Sequence, residues 1–144
     1  MDEKLDVGRR GSFYDATGAL RDMVPNHLFQ LLSLVAMEPP ARFDAHTVRS
    51  EKAAVLAAIQ TQSQAEALRN SARGQYTSGS INGPIAGYRK TKDVEPDSNT
   101  ETYVALKLAI DNWRWAGVPF YLRTGKALDT KRTEVAIKFK HAPF

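Results

Sequence analysis

The chain has 144 residues, 42% hydrophobic and 25% charged, which suits one water-soluble globular domain with a proper core. No apolar run approaches the roughly 20 residues of a membrane span, the opening M-D-E-K-L-D is too polar for a secretory leader, and the absence of cysteine excludes disulfides and thiolate zinc centres. A cytoplasmic protein is expected, and the net charge of +4 suits an anionic small-molecule ligand or simple solubility.

In chain order, 1–12 is polar and reads as an extended or loop entry, with Arg9 and Arg10 between glycines. The span 13–37 predicts a long helix, with Leu20, Val24, Leu28, Leu31 and Val35 recurring at helical spacing. Asp15 and Thr17 are the predicted N-caps. Pro25 removes a backbone donor and predicts a kink, and Asn26-His27 follows at once. A proline beside a histidine breaks local helix rules, and such breaks gather at functional sites. Composition and spacing alone favour packing as its purpose. Asp22 and His27 are five positions apart, about 140° on a wheel at about 100° per residue. They form no simple dyad, but a kink would let them flank one cleft.

Glu38-Pro39-Pro40 ends that helix. A second helix is predicted over 44–59, capped by Asp44, with Val48, Lys52, Val55, Leu56 and Ile59 inward and His46 exposed in the first turn. The polar span 60–72 reads as a linker with one short helix. Gln75-Tyr76-Thr77 favours β structure, and the glycines of 79–87 punctuate an irregular hairpin. The stretch 90–99 is turn-rich and expected to be mobile. Strands are predicted where Val104, Leu106, Leu108 and Ile110 alternate with polar or small residues, over V-P-F-Y-L-R with Pro119 at its start or edge, and where Val135, Ile137 and Phe139 alternate with charged residues. Helices followed by a meander of antiparallel strands predict an α+β domain, N-terminal helices packed on a sheet from the C-terminal half. A sheet of three or four strands would leave a long edge exposed, so the domain reads as incomplete.

No G-x-G-x-x-G, Walker A or G-x-S-x-G pattern occurs. The three histidines, His27, His46 and His141, share no ligand spacing, so no metal site is expected. What remains is His27 on its kinked helix, Asp22 nearby, and the basic loop R-T-G-K-A-L-D-T-K-R over 123–132. Lys126, Lys131 and Arg132 can clamp a phosphate. A solvated hairpin explains the same residues equally well.

Longer motifs narrow these readings. The run F-Y-D-A-T-G-A-L-R-D-M-V-P-N-H-L-F-Q-L-L-S-L-V-A-M-E-P-P closely resembles the start of the C-terminal domain of the glucose-6-phosphate dehydrogenase family. So do V-R-S-E-K-A-A-V-L, R-G-Q-Y and W-R-W-A-G-V-P-F-Y-L-R-T-G-K-A-L. The likeness extends from about Glu3 to Phe139 and keeps the family's order. It implies NADP-dependent oxidation of glucose 6-phosphate to 6-phosphogluconolactone, the first step of the pentose phosphate pathway. By position, His27 matches the general base that takes the C1 hydroxyl proton as hydride leaves for the nicotinamide, a role suited to imidazole. Asp22 and Glu3 match carboxylates that contact sugar hydroxyls. Lys126 matches a substrate-binding lysine, and Lys131 falls at a basic substrate contact.

The departures carry weight too. Pro25 stands where other members often have Gln. Ala136 replaces an Arg of the mammalian members' second nucleotide site, so no such site is expected here. The family's nucleotide-binding domain, its glycine fingerprint and the D-H-Y-L-G-K-type motif are not in these residues, which implies an internal piece of the C-terminal domain, with NADP bound mainly elsewhere and no turnover by this chain alone. A homo-oligomer through the exposed sheet is expected, with neither nucleic acid nor membrane as partner. Two other classes stay open: a non-catalytic sugar-phosphate-binding module, and a structural remnant that pairs through its sheet.

Overall fold

A 3₁₀ turn at Gly8–Arg10 leads directly into α1, Gly11–Met23, in a computed structural model that describes residues 1–81 and 83–141. Helix α1 is interrupted. Gly18 has φ 67° and ψ 173°, a backbone region open essentially to glycine alone, so the helical path restarts at Ala19. Neither predicted N-cap acts as one, because the helix already begins at Gly11. The Asp15 carboxylate instead accepts from the Tyr88 hydroxyl at 2.7 Å and the Glu95 amide at 3.3 Å, and the Thr17 hydroxyl donates to the Phe13 carbonyl at 3.1 Å.

The kink predicted at Pro25 takes the form of a π-helical turn over Val24–Leu28, closed by the Phe29 amide donating to the Val24 carbonyl. Proline has no N–H for the ordinary ladder, and the pattern re-forms one residue wider. Helix α2, Phe29–Ala36, follows. The extra residue shifts the buried face. Val24 and Leu28 are buried as expected, but Leu32 and Ala36 succeed them, while Leu20 and Val35 are 39% and 38% exposed.

Helix α3, Ala45–Ala57, is capped as predicted. The Asp44 carboxylate accepts from the His46 and Thr47 amides at 3.0 and 2.9 Å, and His46 is exposed. The short helix expected in the linker is α4, Gln64–Arg69, opened by a Ser63/Glu66 capping box. The end of that linker is not a loop. Ser71–Gly74 forms β1 and pairs antiparallel with β4, Tyr103–Ala109, which pairs with β5, Pro119–Gly125. The sheet order is β1-β4-β5, with Pro119 at the start of an edge strand. The irregular hairpin is β2, Gly79–Ser80, against β3, Pro84–Ile85; Asn82 lies outside the described residues, and Gln75-Tyr76-Thr77 joins no strand.

Two further expectations are corrected. Residues 133–141 form no strand and are exposed, Phe139 at 82%. Alternation supplies a face, but a strand also needs a neighbour's hydrogen bonds, and no described residue supplies them. The turn-rich stretch 90–99 is anchored, with Val94 and Ser98 buried at 9% and 7%, because Asp15 gathers donors from it. The α+β architecture stands as predicted. Val7, Tyr14, Ala19, Val24, Leu28, Tyr88 and Val104 form one core between α1 and the sheet. Leu32, Ala36, Val55 and Ile110 form a second, closed by Trp115 and Phe120. The Trp115 indole donates to the Ala36 carbonyl at 2.9 Å, which ties the turn between β4 and β5 to the end of α2.

Candidate functional site

The N-terminal residues lie along the far end of β5. The Asp2 and Arg132 backbones exchange hydrogen bonds at 2.8 and 3.0 Å, the Glu3 amide donates to the Gly125 carbonyl at 3.0 Å, and the Leu128 amide donates to the Glu3 carbonyl at 2.9 Å. Gly125 is needed where it stands, since a Cβ there would meet the Tyr103 ring at 2.7 Å. This stitching delivers Glu3 to Lys126, and the two form an ion pair with side chains 26% and 11% exposed. The Lys126 ammonium also sits 5.4 Å from the centre of the Tyr14 ring, a cation over an aromatic face. Its backbone amide donates to the Thr102 carbonyl at 2.9 Å. Lys126 is therefore fixed at both ends, with ammonium hydrogens to spare for a ligand oxygen.

Tyr14 is only 1% exposed, and its hydroxyl has no hydrogen-bond partner among the described residues. Burial first, then the charges of Asp22 and Glu101, the neighbouring Tyr88 and the charge of Glu3, hold its phenol well above the ordinary range. Asp22 and Glu3 thus act on one buried ring from two different elements, the restarted portion of α1 and the N-terminal segment. The ring makes an edge contact with Tyr88 at 6.3 Å, and the Tyr88 phenol is likewise driven up by burial and by its bond to Asp15.

The predicted residues fall into two groups. Glu3 and Lys126 are brought into contact, with Asp22 close enough to Tyr14 to influence it. His27 is exposed on the π turn, and no hydrogen bond joins it to Asp22 among the described residues. A π turn fits an extra residue into its circuit, which reduces the angular separation of positions five apart. The Asn26 side chain donates to the Asp22 carbonyl at 3.3 Å and ties this turn to α1. Lys131 is exposed and makes no ion pair within 4.0 Å among the described residues. The expected three-cation clamp is not assembled, because Lys126 faces Glu3 and Arg132 pairs with Glu134 at 3.0 Å. Arg123 is likewise engaged, with Asp2 at 3.2 Å.

Sequence reading passed over Tyr14, Glu101 and Thr102. Tyr14 lies inside the recognised F-Y-D run, but no periodicity distinguishes an aromatic that seats a lysine from one that fills a core. Among the described residues no cluster of three or more His, Cys, Asp or Glu could hold a metal ion, and no helix is long and apolar enough to cross a membrane. The arrangement offers carboxylates that accept from hydroxyls, a held cation for an anion, and an accessible imidazole. Those groups match a polyhydroxylated, anionic ligand.

Comparison with known proteins identifies the family. The family model described as "Glucose-6-phosphate dehydrogenase, C-terminal domain" matches residues 1–144. The glucose-6-phosphate 1-dehydrogenase of Bacillus subtilis (strain 168) is 49% identical over 142 residues, covering 98% of this chain and 29% of the relative. That of Mycolicibacterium smegmatis is 48% identical over 141 residues, covering 98% and 28%. The solved glucose-6-phosphate 1-dehydrogenase of Mycobacterium avium superposes with a TM-score of 0.75 at 48% identity, over 88% of this chain and 25% of that one. A glucose-6-phosphate dehydrogenase solved in complex with its substrate glucose-6-phosphate gives 0.78 at 38% identity, with the same coverage. The chain spans less than a third of the length of these relatives and matches them over most or all of its own, and it belongs to the glucose-6-phosphate dehydrogenase family, in the family's C-terminal domain.

Proposed function

We propose that this chain forms the glucose 6-phosphate-binding face, and supplies the general base, of an NADP-dependent glucose-6-phosphate dehydrogenase that makes 6-phosphogluconolactone. The observation that carries this reading is Lys126, held between Glu3 and the face of Tyr14, a ring whose phenol also feels the charge of Asp22, while the exposed imidazole of His27 stands on the π turn that follows. Glu3 and Asp22 accept from sugar hydroxyls and so fix the ring's orientation. Lys126 donates to a substrate oxygen, and Lys131, free to swing, adds a second cation. Bound this way, the sugar presents its C1 hydroxyl to His27, whose unprotonated nitrogen takes the proton as the C1–H bond breaks.

The chemistry NADP would supply, when bound, is that of the hydride acceptor. The chain's own residues do not make its cradle: the sheet is antiparallel, and no glycine-rich turn carries a strand into a helix N-terminus among the described residues, the arrangement that holds a pyrophosphate. The hydride acceptor is assigned to no residue of this chain. Holding both reactants at bonding distance is a large part of what such a site contributes, so the chain by itself binds the sugar phosphate without turning it over. The same reading places the protein in the cytoplasm.

Titration of the 144-residue chain with glucose 6-phosphate, with glucose as control, tests this. Saturable binding that needs the phosphate, survives His27→Asn and is lost in Lys126→Met is expected. Equal response to glucose, or binding indifferent to Lys126, refutes it, and NADP reduction by the chain alone refutes the assignment of the acceptor. Self-association through the sheet belongs to the same proposal, supported by Tyr121 of β5 at 73% exposure; the edge available is the part of β5 before Arg123, since Met1 and Glu3 already bond to the Arg123 and Gly125 carbonyls. Sedimentation velocity should show a concentration-dependent species, and a single monomer at all concentrations would end that part.

A further inference from the structure

Two adjacent residues, Glu101 and Thr102, hold the two halves of the site. On the helical side, the chain restarts after Gly18 with open amides, and a helix N-terminus needs acceptors for them. They come from the loop before β4. The Ala19 amide donates to the Glu101 carbonyl at 2.9 Å, and the Leu20 amide donates to the Glu101 Oε1 at 2.9 Å. The contact is close enough that a Cβ on Gly18 would lie 2.6 Å from that carboxylate oxygen. On the strand side, the next residue, Thr102, is fully buried. Its carbonyl accepts from the Lys126 amide at 2.9 Å, its amide donates to the Gly74 carbonyl at 2.8 Å, and its hydroxyl accepts from the Tyr76 amide at 2.9 Å.

Gly18 is a permissive joint, so the segment beyond it, bearing Asp22 and His27, takes its direction from the cap at its start together with the core packing of Ala19, Val24 and Leu28. We infer that Glu101 is a positioning residue: by capping the segment that begins at Ala19 it sets where Asp22 and His27 stand relative to Lys126, whose backbone is anchored by the neighbouring Thr102. This rests on the assignment of those three residues to one ligand site.

The test compares Glu101→Ala and Glu101→Gln in the full 144-residue chain, using glucose 6-phosphate and inorganic phosphate as probes. The alanine variant should weaken glucose 6-phosphate binding about tenfold, the order of a lost helix cap, and leave inorganic phosphate within about twofold, because Lys126 keeps its anchor on Thr102. Glutamine keeps an acceptor oxygen and should recover most of the loss. Unchanged glucose 6-phosphate affinity in the alanine variant, or an equal loss for both probes, overturns the inference. If the unmodified chain binds neither probe, it is the site assignment that fails. The inference is then judged by NMR, where displaced His27 ring signals and faster exchange of the Leu20 amide in the alanine variant support it, and unmoved signals overturn it.

Discussion

Replacing Gly18 with alanine should be among the most damaging small changes available to this chain. Two costs arise. The backbone at φ 67°, ψ 173° is a region where a side chain costs about 1–3 kcal/mol. The new methyl would also stand 2.6 Å from Glu101 Oε1 and 2.9 Å from its Cδ. The glutamate must swing away, leaving the Leu20 amide uncapped at about 1 kcal/mol more. Together these give about 2–4 kcal/mol. With a urea slope of about 2 kcal/mol per molar, the midpoint should fall by about 1–2 M with the slope unchanged. Gly74→Ala is the control, since nothing lies within 4 Å of its Cβ position, and a modest change of about 0.5 kcal/mol is expected there. A Gly18→Ala loss below about 1 kcal/mol would refute the claim that the restart of α1 depends on glycine.

Gly11→Ala is expected to cost about 3 kcal/mol or more, because its Cβ would fall 2.0 Å from the Lys92 carbonyl oxygen and backbone must move to admit it; urea denaturation reads this directly. Burial pushes the Asp15 carboxyl up, but hydrogen bonds from Ser98, Tyr88 and the Glu95 amide outweigh it and leave the group below its ordinary value. The unfolded chain then binds more protons over that interval, so this contribution is present above about pH 4 and is lost as acid carries the folded group through its lowered pKa. Asp15→Asn should flatten the fall in urea midpoint below about pH 4, and an unchanged acid profile would disprove it. Trp115→Phe should keep the contact with Phe120, whose ring centre lies 5.1 Å away, and lose the bond to the Ala36 carbonyl, costing about 1–2 kcal/mol in the same assay.

The sequence made some of this legible and hid the rest for identifiable reasons. Local chemistry read well. Asp44 caps α3 because its carboxylate serves amides two and three residues on, and the alternation from Val104 to Ile110 marks the two sides of β4. Long-range needs did not show. Asp15 looks like an N-cap until Tyr88 and Ser98 arrive from across the fold to use it. Val135, Ile137 and Phe139 have a strand's pattern with no partner among the described residues to complete it. Pro25 announced a disturbance, but whether it kinks the helix or widens it by a residue depends on what the following helix packs against. At the site, the motif run drew attention to His27, Asp22 and Lys126, while Tyr14 and Glu101 act only through neighbours that folding brings to them.

The pairing of Glu3 with Lys126 has a consequence for how the molecule comes into being. The partners are separated by 123 positions, and the backbone bridge beside them joins Asp2 to Arg132. Contacts this distant in sequence carry the largest loop-closure entropy and tend to form late. During synthesis, at about 5–20 residues per second, the first residues must wait several seconds, unpaired, for the loop that will receive them. The helices and the β4–β5 hairpin can settle before then. The corner formed by Glu3 and Lys126 closes only when the two extremes of the described chain meet, so binding at the proposed site would be acquired in one late step, and a nascent chain stalled before Lys126 would carry the histidine without the lysine proposed to work beside it.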